Sequence, residues 1–254
     1  MAVRFELDDR VAIVTIDRPE ARNAVSPEVA ADIEAAVDRI EEDPEIWCWI
    51  LTGVPPAFSA GADLAAIAQG RMAELRTARG GFGGVVRRER TKPLIAAVEG
   101  AAFGGGFEMV LAADLVVAAE GARFGLPEVR RGILAGGGGV VRLPTVVPRN
   151  LALELALTGE PISAAVAQGH GLVNRVVPDG EALAEAKALA ALVCAAAPLA
   201  VRASRAAILA TTEQGVARGW VVSAQGQEDL QATEDAREGP RAFLEKRPPR
   251  WLGR

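Results

Sequence analysis

The sequence predicts an α/β layer fold with crossover connections, on three observations. Strand-like and helix-like signals alternate along most of the chain, half of the 254 residues are hydrophobic, and Gly-rich turns separate the apolar runs. Alternation of this kind builds a largely parallel sheet, because parallel neighbours need a crossover segment between them. The length suffices for one large core, or for a core with a smaller helical appendage.

Taken in order, RVAIVTIDR (10–18) alternates β-branched residues and reads as a strand that Arg18-Pro19 ends. A helix follows: Ser26 is a good N-cap, Pro27 suits the first helical position, and Val29, Ile33, Val37 and Ile40 share one face until Asp43-Pro44 stops the chain. Strands are expected around 46–51, at 93–100 and at 114–120, with a helix from 106 to about 113. Beyond 149 the character changes to LALELALTG (151–159), a capped segment from Ser163, a short strand LVNRVV (172–177), and then mostly helix from 181. The expected division is an α/β core over 1–190 and a helical region over 191–254, whose tail is extended after Arg247 because of paired prolines. The Ala-rich stretch 182–210 reads as close-packed helix rather than low complexity.

Composition narrows the function. A formal net charge of -5 and a pI near 5.2 give no basic footprint, so nucleic acid is not the expected partner, even with a local RRER (87–90). The charged N-terminus and an apolar run (188–201) too short to span a bilayer point away from membranes and towards a cytoplasmic protein. Cys48 and Cys194 sit in apolar runs as small hydrophobes, and neither has metal-site spacing. His170, the sole histidine, lies between two glycines, which leaves little basis for a Ser-His-Asp mechanism.

Three segments carry chemistry. GGGFE (104–108) puts Glu108 in the first turn of a helix, GLPEVRRGI (125–133) presents Glu128 on a loop, and PAFSAGADL (56–64) offers backbone amides where Gly61 lets the chain turn. The amide of Gly105 stands near a helix N-terminus, which favours an incoming negative charge, either a phosphate or a developing enolate. Neither phosphate fingerprint is met: no GxxxxGK[ST] occurs, and GAAFGGGF lacks the GxGxxG spacing. Taken singly, each glutamate reads as a surface carboxylate and the glycines as a tight turn. The apolar neighbours of Glu108, from Phe107 to Ala112, instead suggest burial, a raised pKa and proton transfer.

FSAGADL, GGGFEMVLAAD and FGLPEVRRGI, in this order and spacing, resemble the crotonase (enoyl-CoA hydratase/isomerase) superfamily, and the likeness covers nearly the whole chain. It implies a spiral of β-β-α turns with a C-terminal helical region that packs against a neighbouring copy, as a trimer or dimer of trimers. It also implies an acyl-CoA thioester substrate, with coenzyme A part of the substrate and no separate cofactor or metal. The amides of Ala62 and Gly105 would hold the thioester oxygen. Glu108 would activate water for attack at C3 and Glu128 would deliver the proton to C2, an assignment that can exchange with direction. Reversible hydration of a 2-enoyl-CoA is the expected reaction, since water addition needs both a base and an acid. Isomerisation on the same enolate, or acyl-CoA binding without turnover, are the alternatives.

Other matched positions suggest substrate contacts at Ala60, Asp63 and Leu64, and an amide of Gly136 that positions the attacking water; the bland reading of Gly136–Gly139 is a flexible turn into a helix. Glu20 stands where many relatives carry a basic residue near the CoA phosphates, so Arg22 and the tail residue Lys246 are the candidates for that charge. The tail EDAREGPRAFLEKRPPRWLGR, with GGGFEMVLAAD and LVNRVV, is similar to the carnitinyl-CoA dehydratase branch, which implies a small cationic acyl group. A quaternary ammonium calls for aromatic rings or carboxylates. The chain has no Tyr, and of its aromatic residues only Phe82 suggests itself for such a pocket.

Overall fold

The computed structural model describes residues 2–254. The chain opens with β1 (Val3–Asp8) and β2 (Val11–Ile16), then α1 (Pro27–Glu42), β3 (Cys48–Gly53), β4 (Ala57–Ser59) and α2 (Leu64–Ala68). A small hairpin follows, β5 (Arg76–Thr77) with β6 (Gly81–Phe82), and then β7 (Leu94–Val98), β8 (Ala101–Phe103) and α3 (Gly105–Leu111). The next turn holds β9 (Leu115–Ala119), β10 (Arg123–Gly125), a 3-10 helix over Pro127–Arg131, α4 (Gly139–Val146) and α5 (Arg149–Thr158). The rest comprises β11 (Ile162–Ser163), α6 (Ala164–Gly169), β12 (Arg175–Val177), and the helices α7 (Ala182–Cys194), α8 (Pro198–Gln214), α9 (Val216–Gln231) and α10 (Glu234–Leu244).

From β3 to β10, the β5–β6 hairpin apart, successive strands alternate between two sheets, in keeping with the spiral of β-β-α turns that the family resemblance implies. The first sheet runs β1-β2-β3-β7-β9-β12, with β1 antiparallel to β2 and the remaining pairs parallel. The second runs β11-β10-β8-β4, with β8 parallel to both of its neighbours. Strands β2 and β3 are buried along their whole length, as strands covered on both faces are.

Between the sheets and α1 lies the main core, built on Trp49, Leu51, Phe58, Phe107 and Phe124. On the other face of the first sheet, Ala182, Ala186 and Ala190 of α7 lie flat against Ile13, Ile50 and Ile95. The division expected at residue 190 therefore falls inside a helix that packs on the sheet, and the helices that leave the core start at Pro198.

Two polar devices fix the frame. Ser26 caps α1 by accepting from the Val29 amide, and buried Lys92 donates through Nζ to the carbonyls of Ile40 and Asp43 at the other end of that helix. Asp114 pairs with Arg90 (3.1 Å) and with Arg205 of α8 (2.9 Å), which ties the C-terminal helices to the core. Among the described residues no single helix is long and apolar enough to cross a membrane.

Candidate active site

Three neighbouring strands of the second sheet, β4, β8 and β10, run parallel, so their carboxyl ends open on one side. Each of the three sequence motifs is the segment that leaves one of these ends: the Gly61 loop after β4, the Gly104 turn after β8, and the 3-10 helix after β10. Ligands in parallel sheets gather outside strand carboxyl ends because the chain must turn there. Here that turn brings 62, 105, 108 and 128 around one cavity of about 390 Å³.

Glu108 sits in the first turn of α3 and is 3% exposed; Glu128, at 8%, is buried in its 3-10 helix rather than displayed on a solvated loop. Burial raises both carboxyl pKa values, Glu128 to about 7, with the charge of Glu108 pushing it further in the same direction. For Glu108 the rise is opposed by the amides of Gly139 and Gly137 and by Arg76 and Arg142. Its Oε1 accepts from the Gly139 amide at 2.9 Å, the first amide of α4, so a helix N-terminus faces this carboxylate and favours its charged form. Glu128 Oε2, by contrast, is buried without a hydrogen-bond partner. The two acids thus differ: main-chain donors oppose the upward shift at Glu108, whereas Glu128, lifted to about 7 with no such donor on its Oε2, is suited to carry a proton near neutrality.

The amides complete the site. The N–H groups of Ala62 and Gly105 have no acceptor among the described residues, whereas their neighbours Gly61, Asp63 and Gly104 all donate internally, to Ser59, Val25 and Gly125. Gly61, at φ 90°, lets the loop approach α3: a Cβ there would lie 3.0 Å from the Gly105 nitrogen and 2.7 Å from the Phe103 carbonyl. Two free donors on adjoining segments are the arrangement that stabilises an oxygen gaining negative charge.

Of the remaining sequence candidates, Arg22, Ala60, Asp63, Leu64 and Gly136 all line this cavity. Asp63 is engaged structurally, capping α2 and pairing with Arg18 at 2.9 Å. Gly136 is a correction. Its amide donates to the Leu134 carbonyl at 2.7 Å and so is not aimed at a water in the cavity; the glycine amides directed at the site are those of 137 and 139, which face Glu108. A Cβ on Gly137 would lie 2.3 Å from Glu108 Oε2, which explains a glycine there. Lys246 is exposed beyond α10 and does not line the cavity of its own chain.

Phe82 does line it, as do Arg76, Met72 and Arg131, which sequence reasoning did not single out. Their segments carry no strong period, and only the four-glycine run hinted at a close approach. A larger cavity, about 1090 Å³, lies between the core and α8–α9 and contains neither glutamate. No metal-binding cluster of His, Cys, Asp or Glu occurs among the described residues.

Comparison with known proteins shows the family. The family model described as enoyl-CoA hydratase/isomerase matches residues 6–254. A carnitinyl-CoA dehydratase of Salmonella typhi is 42% identical over 247 residues, covering 95% of this chain and 94% of the relative. The crystal structure of an enoyl-CoA hydratase from Mycobacterium marinum superposes with a TM-score of 0.94 at 43% identity, covering 100% of this chain and 99% of its own. A carnitinyl-CoA hydratase from Mycobacterium avium gives a TM-score of 0.80 at 45% identity, with the same coverage. The chain therefore belongs to the enoyl-CoA hydratase/isomerase family, the crotonases, and is a lyase-type enzyme within it.

Proposed function

We infer that the protein reversibly adds water to a 2-enoyl-CoA to give a 3-hydroxyacyl-CoA. The observation that carries this reading is the meeting of two unlike carboxylates and two free amides on one cavity. In the hydration direction, the thioester oxygen accepts from the amides of Ala62 and Gly105. Glu108, in its carboxylate form and hydrogen-bonded to the first amide of α4, takes a proton from water as its oxygen attacks C3. The electron pair displaced from the double bond moves towards the thioester oxygen, where the two amides stabilise it more strongly in the transition state than in the ground state. Glu128 then gives its proton to C2, and dehydration reverses each step. Coenzyme A enters as part of the substrate, and no further cofactor takes part in this scheme.

Arg22 and Leu64 are exposed and line this cavity, which supports contact of the first with a CoA phosphate and of the second with the adjoining chain. Exposed Ile208, Val216, Trp220 and Val221 on α8 and α9 support docking of this region on a neighbouring copy. A second reading, dehydration of a carnitinyl thioester, is favoured by the 42–45% identity to proteins of that description.

The test is the loss of conjugated-thioester absorbance when crotonyl-CoA is added. Hydration that falls by about two orders of magnitude or more in both Glu108→Gln and Glu128→Gln supports the pair. Undiminished hydration in either variant rejects it, and double-bond migration without water uptake would favour an isomerase.

A further inference from the structure

We propose that Arg76 selects enoyl groups carrying a negatively charged or strongly accepting substituent beyond C3, and that the cavity disfavours a quaternary ammonium there. The inference rests on the hydratase reading above.

Position comes first. Arg76 and Phe82 are paired across the β5–β6 hairpin, and both line the cavity. Phe82 lies against the reacting end: a Cβ on Gly105 would strike its ring at 2.2 Å, and one on Gly137 would lie 3.2 Å from its Cβ. Arg76 stands one residue along, its Nη2 3.8 Å from where a Cβ on Gly136 would be. With C3 beside Glu108, acyl carbons further out would pass Gly136 and Gly137 towards this guanidinium; Arg22, Ala24 and Ala60 also line the cavity.

Pairing is the second observation. Arg71, Arg79 and Arg88, from the same stretch, each hold a carboxylate, at 2.9, 2.5 and 2.5 Å, and Arg87, which holds none among the described residues, lines the other cavity. The Arg76 guanidinium, among the described residues, has neither an ion pair nor a hydrogen bond. A planar fork of donors left open on the wall of a binding cavity matches a carboxylate.

The third observation concerns what is missing for a cation. Phe82 is the sole aromatic residue lining the cavity among the described residues. Trp49 is buried in β3 and Trp220 is 73% exposed on α9, and neither lines it. Of the cavity carboxylates, Glu108 and Glu128 serve the reacting carbons and Asp63 is bound to Arg18. A trimethylammonium would meet one ring and an opposing guanidinium, short of the aromatic and acidic enclosure such a group requires.

Three thioesters that differ only in the C4 substituent test this: crotonyl-CoA (hydrogen), glutaconyl-CoA (carboxylate) and crotonobetainyl-CoA (trimethylammonium). The wild type is expected to give a kcat/KM for glutaconyl-CoA at least about ten-fold above that for crotonobetainyl-CoA. Arg76→Gln should lower the glutaconyl-to-crotonyl ratio by about ten- to a hundred-fold, the range for losing a charged hydrogen bond, and Arg76→Lys should recover part of it. Any general effect of Arg76 on Glu108 cancels in that ratio. A wild-type preference for the trimethylammonium substrate, or a ratio unchanged in Arg76→Gln, would overturn the proposal. Calorimetric binding of the unreactive glutaryl-CoA and butyryl-CoA to both proteins reads the same charge preference without turnover. If none of the three enoyl thioesters is hydrated, the hydratase reading fails, and calorimetry still decides the role of Arg76.

Discussion

Replacing Glu128 by Gln should make the protein more stable at alkaline pH while removing the proton donor of the proposed reaction. Burial lifts this carboxyl from an ordinary value of 4.5 to about 7. Between those values the folded chain binds a proton that the unfolded chain has released, so folding stability falls as pH rises through the window and levels off above it. The shift from 4.5 to about 7 bounds the penalty at about 3 kcal/mol. Contact with water through the cavity mouth reduces it to about 1–2 kcal/mol. Glutamine keeps the shape and never ionises. Urea unfolding followed by far-ultraviolet circular dichroism at pH 5, 6, 7 and 8 should show the variant gaining on the wild type as pH rises, by about 1–2 kcal/mol at pH 8. A difference that stays constant across the series, or a variant weaker than wild type at pH 8, would refute the assignment of a buried, proton-carrying Glu128.

Other perturbations probe the frame that holds the site. Gly137→Ala drives a methyl into Glu108 Oε2, at 2.3 Å, so hydration should fall by about a hundred-fold; an unchanged kcat in steady-state assays would show that Glu108 does not need that position. Asn23, fully buried at φ 55°, donates through Nδ2 to the carbonyls of Val54 (2.7 Å) and Ala57 (2.6 Å) and accepts from the Arg18 amide (2.9 Å). Asn23→Ala should cost about 2–4 kcal/mol in chemical denaturation, and a loss under 1 kcal/mol would mean that water satisfies these groups. Asp114→Ala leaves Arg90 and Arg205 without their shared anion and should cost about 3–5 kcal/mol, with earlier proteolysis of α8; cleavage at the wild-type rate would show that the C-terminal helices are held by something else.

Much of the fold was legible because long elements repeat their own signal. Helix α1 shows its cap, its first-turn proline and three turns of one apolar face, and the structure has the Ser26 cap and a helix ending at Glu42. The parallel strands β3, β7 and β9 read as apolar runs because both faces are covered. Strand β1 was missed: as an edge strand it is exposed at most positions, and its charges masked the period. The second sheet was illegible for another reason. Its strands, β4, β8, β10 and β11, are two or three residues long, too short to display any alternation, yet they aim the site.

Glu108 and Glu128 could be named from the sequence, but not their unlike settings. The contrast depends on Gly139, thirty-one residues beyond Glu108, starting a helix against one carboxylate and not the other. The run Gly136–Gly139 allowed either a loose turn or a close approach, and only packing separates them.

The most direct measurement is a crystal structure of the enzyme with acetoacetyl-CoA, a thioester that carries a 3-oxo group in place of the 2,3 double bond. The account predicts the thioester oxygen within about 3.1 Å of both the Ala62 and Gly105 nitrogens, with Glu108 beside C3 and Glu128 beside C2. A thioester bound away from those two amides, or with either carboxyl group out of reach of its carbon, would contradict it.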